Sequence, residues 1–260
     1  MNYTPEGWWK DLSSKANRIR KDTTCLFLEY CLSFYCMWGL QQVVGNQSDQ
    51  LSFIGGKPRL PSGTKVPTCK LCGSTQTFFF QVAMPKGSIW DGLTLAVYQC
   101  TKCADESHLI PEMLESRLAG ADIPSGFLTQ YQRNFSFVIF PTDQGEIVDS
   151  YDEPISFSEI QLVEGDSVGS FGKLEGKPNW VLEDESPATY GGNVQMKFLL
   201  EVVPNFQFKM YAAAEPQIEL GIMGDPEPSP LDYYQLFIGN ALYLFGTSSG
   251  DRAVYAVTQV

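Results

Sequence analysis

Cys69-Lys70-Leu71-Cys72 and Cys100-Thr101-Lys102-Cys103 form two CxxC pairs with 27 residues between them. Two thiolates from one tight loop, matched by two from another, can close a tetrahedron around a metal ion. Gly73 follows the first pair and permits the left-handed backbone such a knuckle needs. Lys70 and Lys102 partly offset the double negative charge of a four-thiolate site. The spacing is that of a zinc ribbon, and four thiolates leave no open position. The expected cofactor is therefore a structural Zn2+ held by Cys69, Cys72, Cys100 and Cys103. Three other readings stay open. A redox CxxC pair normally sits at a helix start in a βαβ unit, which the flanking sequence does not suggest. An iron–sulfur cluster can use four cysteines, although the ribbon spacing favours zinc. Four unliganded thiols are the third. Cys25, Cys31 and Cys36 lie in an apolar stretch and read as buried small side chains rather than ligands.

Other chemistry finds little material. His108 is the single histidine, which excludes any mechanism needing two. It follows Asp105-Glu106-Ser107 and reads as a surface residue or a neighbour of the ribbon, not a catalyst. Glu183, Asp184 and Glu185 offer paired carboxylates of the glycosidase kind, but they fall in a predicted loop and read as a solvated acidic turn. Neither a GxxxxGK[ST] phosphate loop nor a GxSxG elbow occurs. The glycines of 165–176 lack a phosphate-binding lysine and a following helix pattern. The expectation is a protein that is not an enzyme, with no catalytic and no cofactor-binding residues beyond the metal ligands.

The knuckles must be brought together by what lies between them. Thr77–Val82 and Leu93–Tyr98 are strand candidates joined through Pro85-Lys86-Gly87, so a hairpin would place both CxxC pairs at one end. Further strands are predicted at 135–140, 195–203, 206–211, 234–238, 241–245 and 253–257. Residues 4–21 read as a helix, with Thr4 as cap, Pro5 at its first position and an apolar stripe of Trp8, Leu12 and Ala16. A second short helix is expected within 105–119. Gly56-Lys57-Pro58 and the strand Phe78–Val82 recur 120 residues later as Gly176-Lys177-Pro178 and Phe198–Val202, the sign of an internal duplication. In the second copy Thr189 and Gly192 replace Cys69 and Cys72, and the later pair falls near Ser248 and Asp251, so that half has no metal site. The expected fold is α+β and β-rich: an internally duplicated antiparallel sheet body with a zinc-ribbon hairpin and an N-terminal helix. Its parts are an extension over 1–50, a first unit with the ribbon over 51–150 and a second unit over 151–260, packed as one body. Phe78, Phe80, Val82, Phe198, Leu200 and Val202 are expected in the core.

A family resemblance rests on three runs: Phe53-Ile54-Gly55-Gly56-Lys57-Pro58-Arg59-Leu60-Pro61, Cys69-Lys70-Leu71-Cys72-Gly73 and Phe78-Phe79-Phe80-Gln81-Val82. Together they resemble the YwqG-like family, bacterial domains of unknown function. The same runs are similar to the N-terminal part of programmed cell death protein 2 and its relatives, which carry a GG-x-P turn, a C-x-L-C-G knuckle and an F-L-x-Q strand. The resemblance covers 51–103, is looser over 174–202 and 239–260, and does not reach the first fifty residues or 104–166. It implies a β-rich domain with an internal pseudo-repeat and a protein-binding role. Some YwqG-like domains sit beside bacterial toxin genes as immunity proteins, and the second group chaperones a small-subunit ribosomal protein. The present chain lacks that group's further cysteine-rich stretches.

Composition bounds the partners. Of 260 residues, 43% are apolar and 18% charged, which excludes a mostly disordered chain. Asp+Glu outnumber Lys+Arg by 30 to 18, a net charge of -12, so phosphate backbones are repelled and nucleic acid is not an expected partner. Acidic residues cluster at 143–146, 149–153, 183–185 and 225–227, with Tyr151, Trp180 and Tyr190 between them, which suits a basic protein partner; the resemblance implies a toxin domain or a ribosomal protein. The uncharged apolar run Tyr30–Leu40 is too short to cross a bilayer, which takes about 20 residues, so no membrane association is expected. No export signal stands in the first twenty residues, and seven cysteines without one fit reduced thiols or metal ligands in the cytoplasm.

Overall fold

The computed structural model describes residues 37–260, apart from Ser116 and Asp166. The chain divides into two units, Met1–Phe34 and Tyr35–Val260, and the described residues all belong to the second. The expected helix over 4–21 lies outside the described residues, as do Cys25, Cys31 and Cys36.

Ten strands make the frame: β1 Trp38–Val43, β2 Phe53–Ile54, β3 Thr77–Ala83, β4 Leu93–Gln99, β5 Phe135–Pro141, β6 Ser158–Glu164, β7 Gly172–Leu174, β8 Val194–Val202, β9 Ala241–Thr247 and β10 Val254–Gln259. Their order across the sheet is β10-β9-β8-β7-β1-β6-β2-β3-β4-β5, each antiparallel to its neighbours. Thr189–Tyr190 adds to β8 and pairs in parallel with Asp122–Ile123, so the whole is a mixed sheet of 12 strands.

The expectation of an α+β class is overturned. Among the described residues, α-helix is confined to Phe127–Tyr131, beside three short 3-10 turns. The helix expected within 105–119 reduces to one such turn, Glu106–His108, closed by the Asp105 side chain accepting the Ser107 N–H. Pro111 lacks an N–H and disfavours helical backbone in the residue before it, so the turn does not propagate. The antiparallel expectation is corrected too, by the parallel pairing at Thr189–Tyr190. Nor is the ribbon a separate hairpin: β3 and β4 run inside the large sheet, flanked by β2 and β5. Of the strands expected at 206–211 and 234–238, only Phe208–Lys209 and Tyr233–Tyr234 form, paired with each other.

Positions 120 residues apart occupy matching places in this sheet. β2 pairs β3 as Phe53↔Gln81, and β7 pairs β8 as Lys173↔Glu201. The register slips between Phe78 and Phe80 in one half and between Phe198 and Leu200 in the other. The halves meet where β1 crosses β6 antiparallel, with Gln41 opposite Gln161. Even buried polar anchors correspond: the Gln81 side chain accepts the Arg59 N–H at 2.9 Å, and Glu201 accepts the Asn179 N–H at 2.7 Å.

All six expected core residues are buried. The slip in β3 is a bulge, and an extra residue reverses the alternation of faces. Phe80 and Val82 therefore join the main core, while Phe78 packs in a second cluster with Phe53, Tyr98 and Tyr151. Gly55 and Glu175 share a left-handed backbone, φ 59 and 58. Glycine adopts it freely, whereas a side chain is strained there by about 1–2 kcal/mol. Glu175 is held by its function as an anchor: its carboxylate accepts the Ile89 N–H at 2.7 Å, and the adjacent Trp90 indole donates to the Thr247 carbonyl at 2.9 Å. A loop of the first half is thereby pinned to the second.

Two outcomes are expected. Phe80→Ala, at a fully buried site, should cost about 3–5 kcal/mol in chemical denaturation. Burial raises the Glu175 carboxyl above its ordinary 4.5, although the Ile89 N–H works against this. A raised carboxyl contributes its full stability below its unfolded value and loses it as pH rises through the folded value. Glu175→Gln keeps an acceptor for Ile89, so melting curves should show it more favourable, relative to wild type, at pH 7 than at pH 4.

Candidate metal centre

The knuckles stand at one end of the β3–β4 pair, where Thr77 lies opposite Gln99. The first is a turn closed by the Gly73 N–H on the Cys69 carbonyl at 2.9 Å, with the Cys69 N–H on the Ser74 carbonyl at 2.8 Å. Gly73 has φ 77, the left-handed conformation the turn demands. The second continues β4 directly: the Cys100 N–H donates to the Asn134 carbonyl at 2.6 Å, and the Lys102 N–H points at the Cys100 sulfur at 3.4 Å. The Thr77 and Thr101 hydroxyls bond each other at 2.7 Å and join the two bases.

This places the four predicted sulfurs together, all within 4.8 Å of one another, and all four cysteines are free thiols. Sγ–Sγ separations are 3.7 Å for Cys69–Cys103, 3.6 Å for Cys72–Cys100 and 3.5 Å for Cys100–Cys103. A tetrahedron with sulfurs about 2.3 Å from its centre has edges of about 3.8 Å. The geometry is compatible with a metal site. Cys69 and Cys100 are buried, Cys72 is exposed and Cys103 intermediate, so the cluster sits at the surface with its inner half shielded.

Electrostatics point the same way. Burial, above all, pushes the Cys100 thiol up to about 12 and raises Cys103 well beyond its ordinary value. At Cys72 burial also opposes ionisation. The Ser74 hydroxyl and backbone N–H, with the thiols of Cys103 and Cys100, outweigh it and bring that thiol down to about 6. Cys72 is thus poised as a thiolate while Cys100 and Cys103 hold their protons. A cation held by these four sulfurs would displace those protons.

The remaining candidates fall elsewhere. His108 Nδ1 lies 2.6 Å from Asp105 Oδ1, and the pair lines a cavity of about 210 Å3 beside Cys100 and Cys103. The hydrogen bond from His108 holds the Asp105 carboxyl below its usual range. The His108 carbonyl accepts the Asn134 side-chain amide at 2.7 Å, so this turn braces the strand end that carries the second knuckle. Glu183, Asp184 and Glu185 do not converge on a site. Asp184 accepts the Ser186 N–H, while the Glu183 carbonyl and the Glu185 carboxylate both take the Gln259 side-chain amide at 2.8 Å. Lys102 pairs with Glu215 at 2.9 Å rather than with the sulfurs. Tyr151, expected as an exposed aromatic among carboxylates, is buried, with its hydroxyl accepting the Phe78 N–H at 2.8 Å.

In the second half a different device closes the corresponding turn. The Asp122 carboxylate accepts both the Thr189 hydroxyl, at 2.6 Å, and the Gly192 N–H, at 2.7 Å. Those are the positions 120 beyond Cys69 and Cys72. The spacing of two glycines and a threonine in the sequence gave no hint that Asp122, 67 residues earlier, closes this turn. Beside the knuckles of the first half opens a cleft of about 880 Å3, walled by 64–68, 75–77, 148–154 and 211–216, which sequence patterns also missed.

No family model matches the chain, and no curated protein matches it. The likeness to YwqG-like domains therefore rests on the motifs themselves. Among the described residues, no helix is long and apolar enough to cross a membrane.

Metal analysis of protein purified without chelators should return one ion per chain. Cys72→Ser should lower that content and the melting temperature together, because metal binding and folding of such a site are coupled.

Proposed function

We propose that this protein is a cytoplasmic protein-binding module of the YwqG-like kind, built around a structural Zn2+ and working without catalytic turnover. The supporting observation is the cleft beside the knuckles. Asp152 and Glu153 line it and form no ion pair among the described residues, in a chain of net charge -12. Four thiolates at tetrahedral spacing suit zinc and fill its coordination, so the metal would hold the knuckles beside that cleft and offer no position to a substrate. A basic protein is the partner such a surface steers and holds. The family resemblance makes a bacterial toxin domain, neutralised by stoichiometric binding, the first reading. A ribosomal protein held by a chaperone-like adaptor is the alternative.

Metal analysis should identify zinc. Proteins captured from the native host should then be purified and titrated back, with saturation expected at one to one. Association should slow steeply with added salt while dissociation changes less. A salt-independent association rate would remove the electrostatic part of the proposal. Neutralisation of a molar excess of toxin would remove the binding mechanism, since one binder cannot silence many targets.

A further inference from the structure

We infer that the cleft beside the knuckles takes an extended peptide segment, which presents a backbone amide to Gln76 and a basic side chain to Asp152 and Glu153. This rests on the protein-binding reading above and says where and how it is carried out.

Gln76 forms part of the cleft wall and is only 1% exposed. Its backbone N–H is satisfied by the Pro67 carbonyl at 2.9 Å, yet neither Nε2 nor Oε1 of its side chain has a partner. Leaving a donor and an acceptor buried and unpaired is costly, and native proteins do so rarely. The matching position in the second half shows that the fold does not require it. Met196, 120 residues on, sits in the apolar core at 4% exposure. The sheet accepts an apolar side chain of similar size at this place, so the polarity of Gln76 serves something other than packing. A carboxamide offers one donor and one acceptor side by side, the complement of a peptide group. Its terminal torsion is broad, which lets the amide turn toward a ligand in the cleft.

The neighbouring polar groups are already committed. Thr77 and Thr101 bond each other, Tyr151 serves the Phe78 N–H, and Tyr234 donates to the Glu215 carbonyl. Lys102 is matched by Glu215. Of the charged side chains left in the wall, Asp152 and Glu153 face Lys65 alone, an excess of negative charge that favours a cationic ligand and repels a phosphate. Val66, Val148 and the half-exposed Tyr211 add apolar wall for an aliphatic stem. The volume falls within the range that encloses a compact organic ligand or a short peptide stretch.

The test uses the full metal-loaded chain, nitrogen-15 labelled, and the peptide acetyl-Gly-Lys-Gly-Lys-Gly-amide, with a glutamate-for-lysine version as control. Resonances of the Gln76 side-chain amide and of 75–77 should move with the lysine peptide and not with the control. Gln76→Met should weaken binding by about tenfold or more, the scale of one lost buried hydrogen-bonded amide, while the melting temperature holds or rises. Glu153→Lys should abolish binding without changing metal content. A Gln76→Met protein that melts lower and binds the peptide as wild type would assign Gln76 a purely structural role and overturn the inference. Shifts confined to 183–185 or 225–227 would overturn this site but leave the protein-binding reading standing. Binding of neither the peptide nor any captured basic protein would remove both.

Discussion

The pairing of Trp38–Val43 with Ser158–Glu164 joins two five-strand halves into one sheet. Its register puts Gln41 opposite Gln161, and everything outward from that pair follows. β7 pairs on one side as β2 pairs on the other, and β3 and β8 take the next places with their bulges at matching points. A shift of one residue here would send Leu40 and Ile160, both buried, to the opposite face. The cysteine knuckles, the pinned Ile89–Trp90 loop and the cleft all hang from strands whose positions this central pair fixes.

The two halves solve one problem in two ways. Each must close a turn that leads into a core strand. In the first half four sulfurs gather at a spacing compatible with a metal ion; in the second one carboxylate, Asp122, takes two donors. The second solution needs nothing from solution but reaches only two groups. The first ties two separate turns, one before β3 and one after β4, and so holds the end of a strand pair rather than a single loop. The cleft lies on the cysteine-bearing side, where Lys102 and Glu215 tie the second knuckle to the 211–216 segment.

How much of this was legible depended on whether a residue's role is local. The sulfurs were legible because four cysteines at CxxC spacing have few other uses, and the strands between them because Phe78–Val82 is apolar throughout. The 120-residue offset marked matching places in the sheet. Over 105–119 the helical propensity of Glu112, Leu114 and their neighbours points to a helix, but Pro111 and the capped turn at Asp105 override it. Trp38–Val43 was hard to place because Gly39, Gln41 and Gln42 weaken a strand pattern, and only its partners 120 residues away give it a central position. Asp122 and Gln76 were invisible for the same reason. A lone aspartate or glutamine carries no pattern, and its meaning lies in which groups stand beside it in space or fail to.

The central strand has a consequence for synthesis. β1 is made early, but both of its partners, β6 and β7, lie more than a hundred residues further along the chain. While the ribosome is still producing the second half, β2, β3, β4 and β5 can pair among themselves, whereas β1 has both edges open. Long-range pairings of this kind close slowly, and a strand with both edges unpaired invites association with other chains in the interval. The two halves therefore join only once 158–174 has emerged and captured β1, which was made more than a hundred residues earlier.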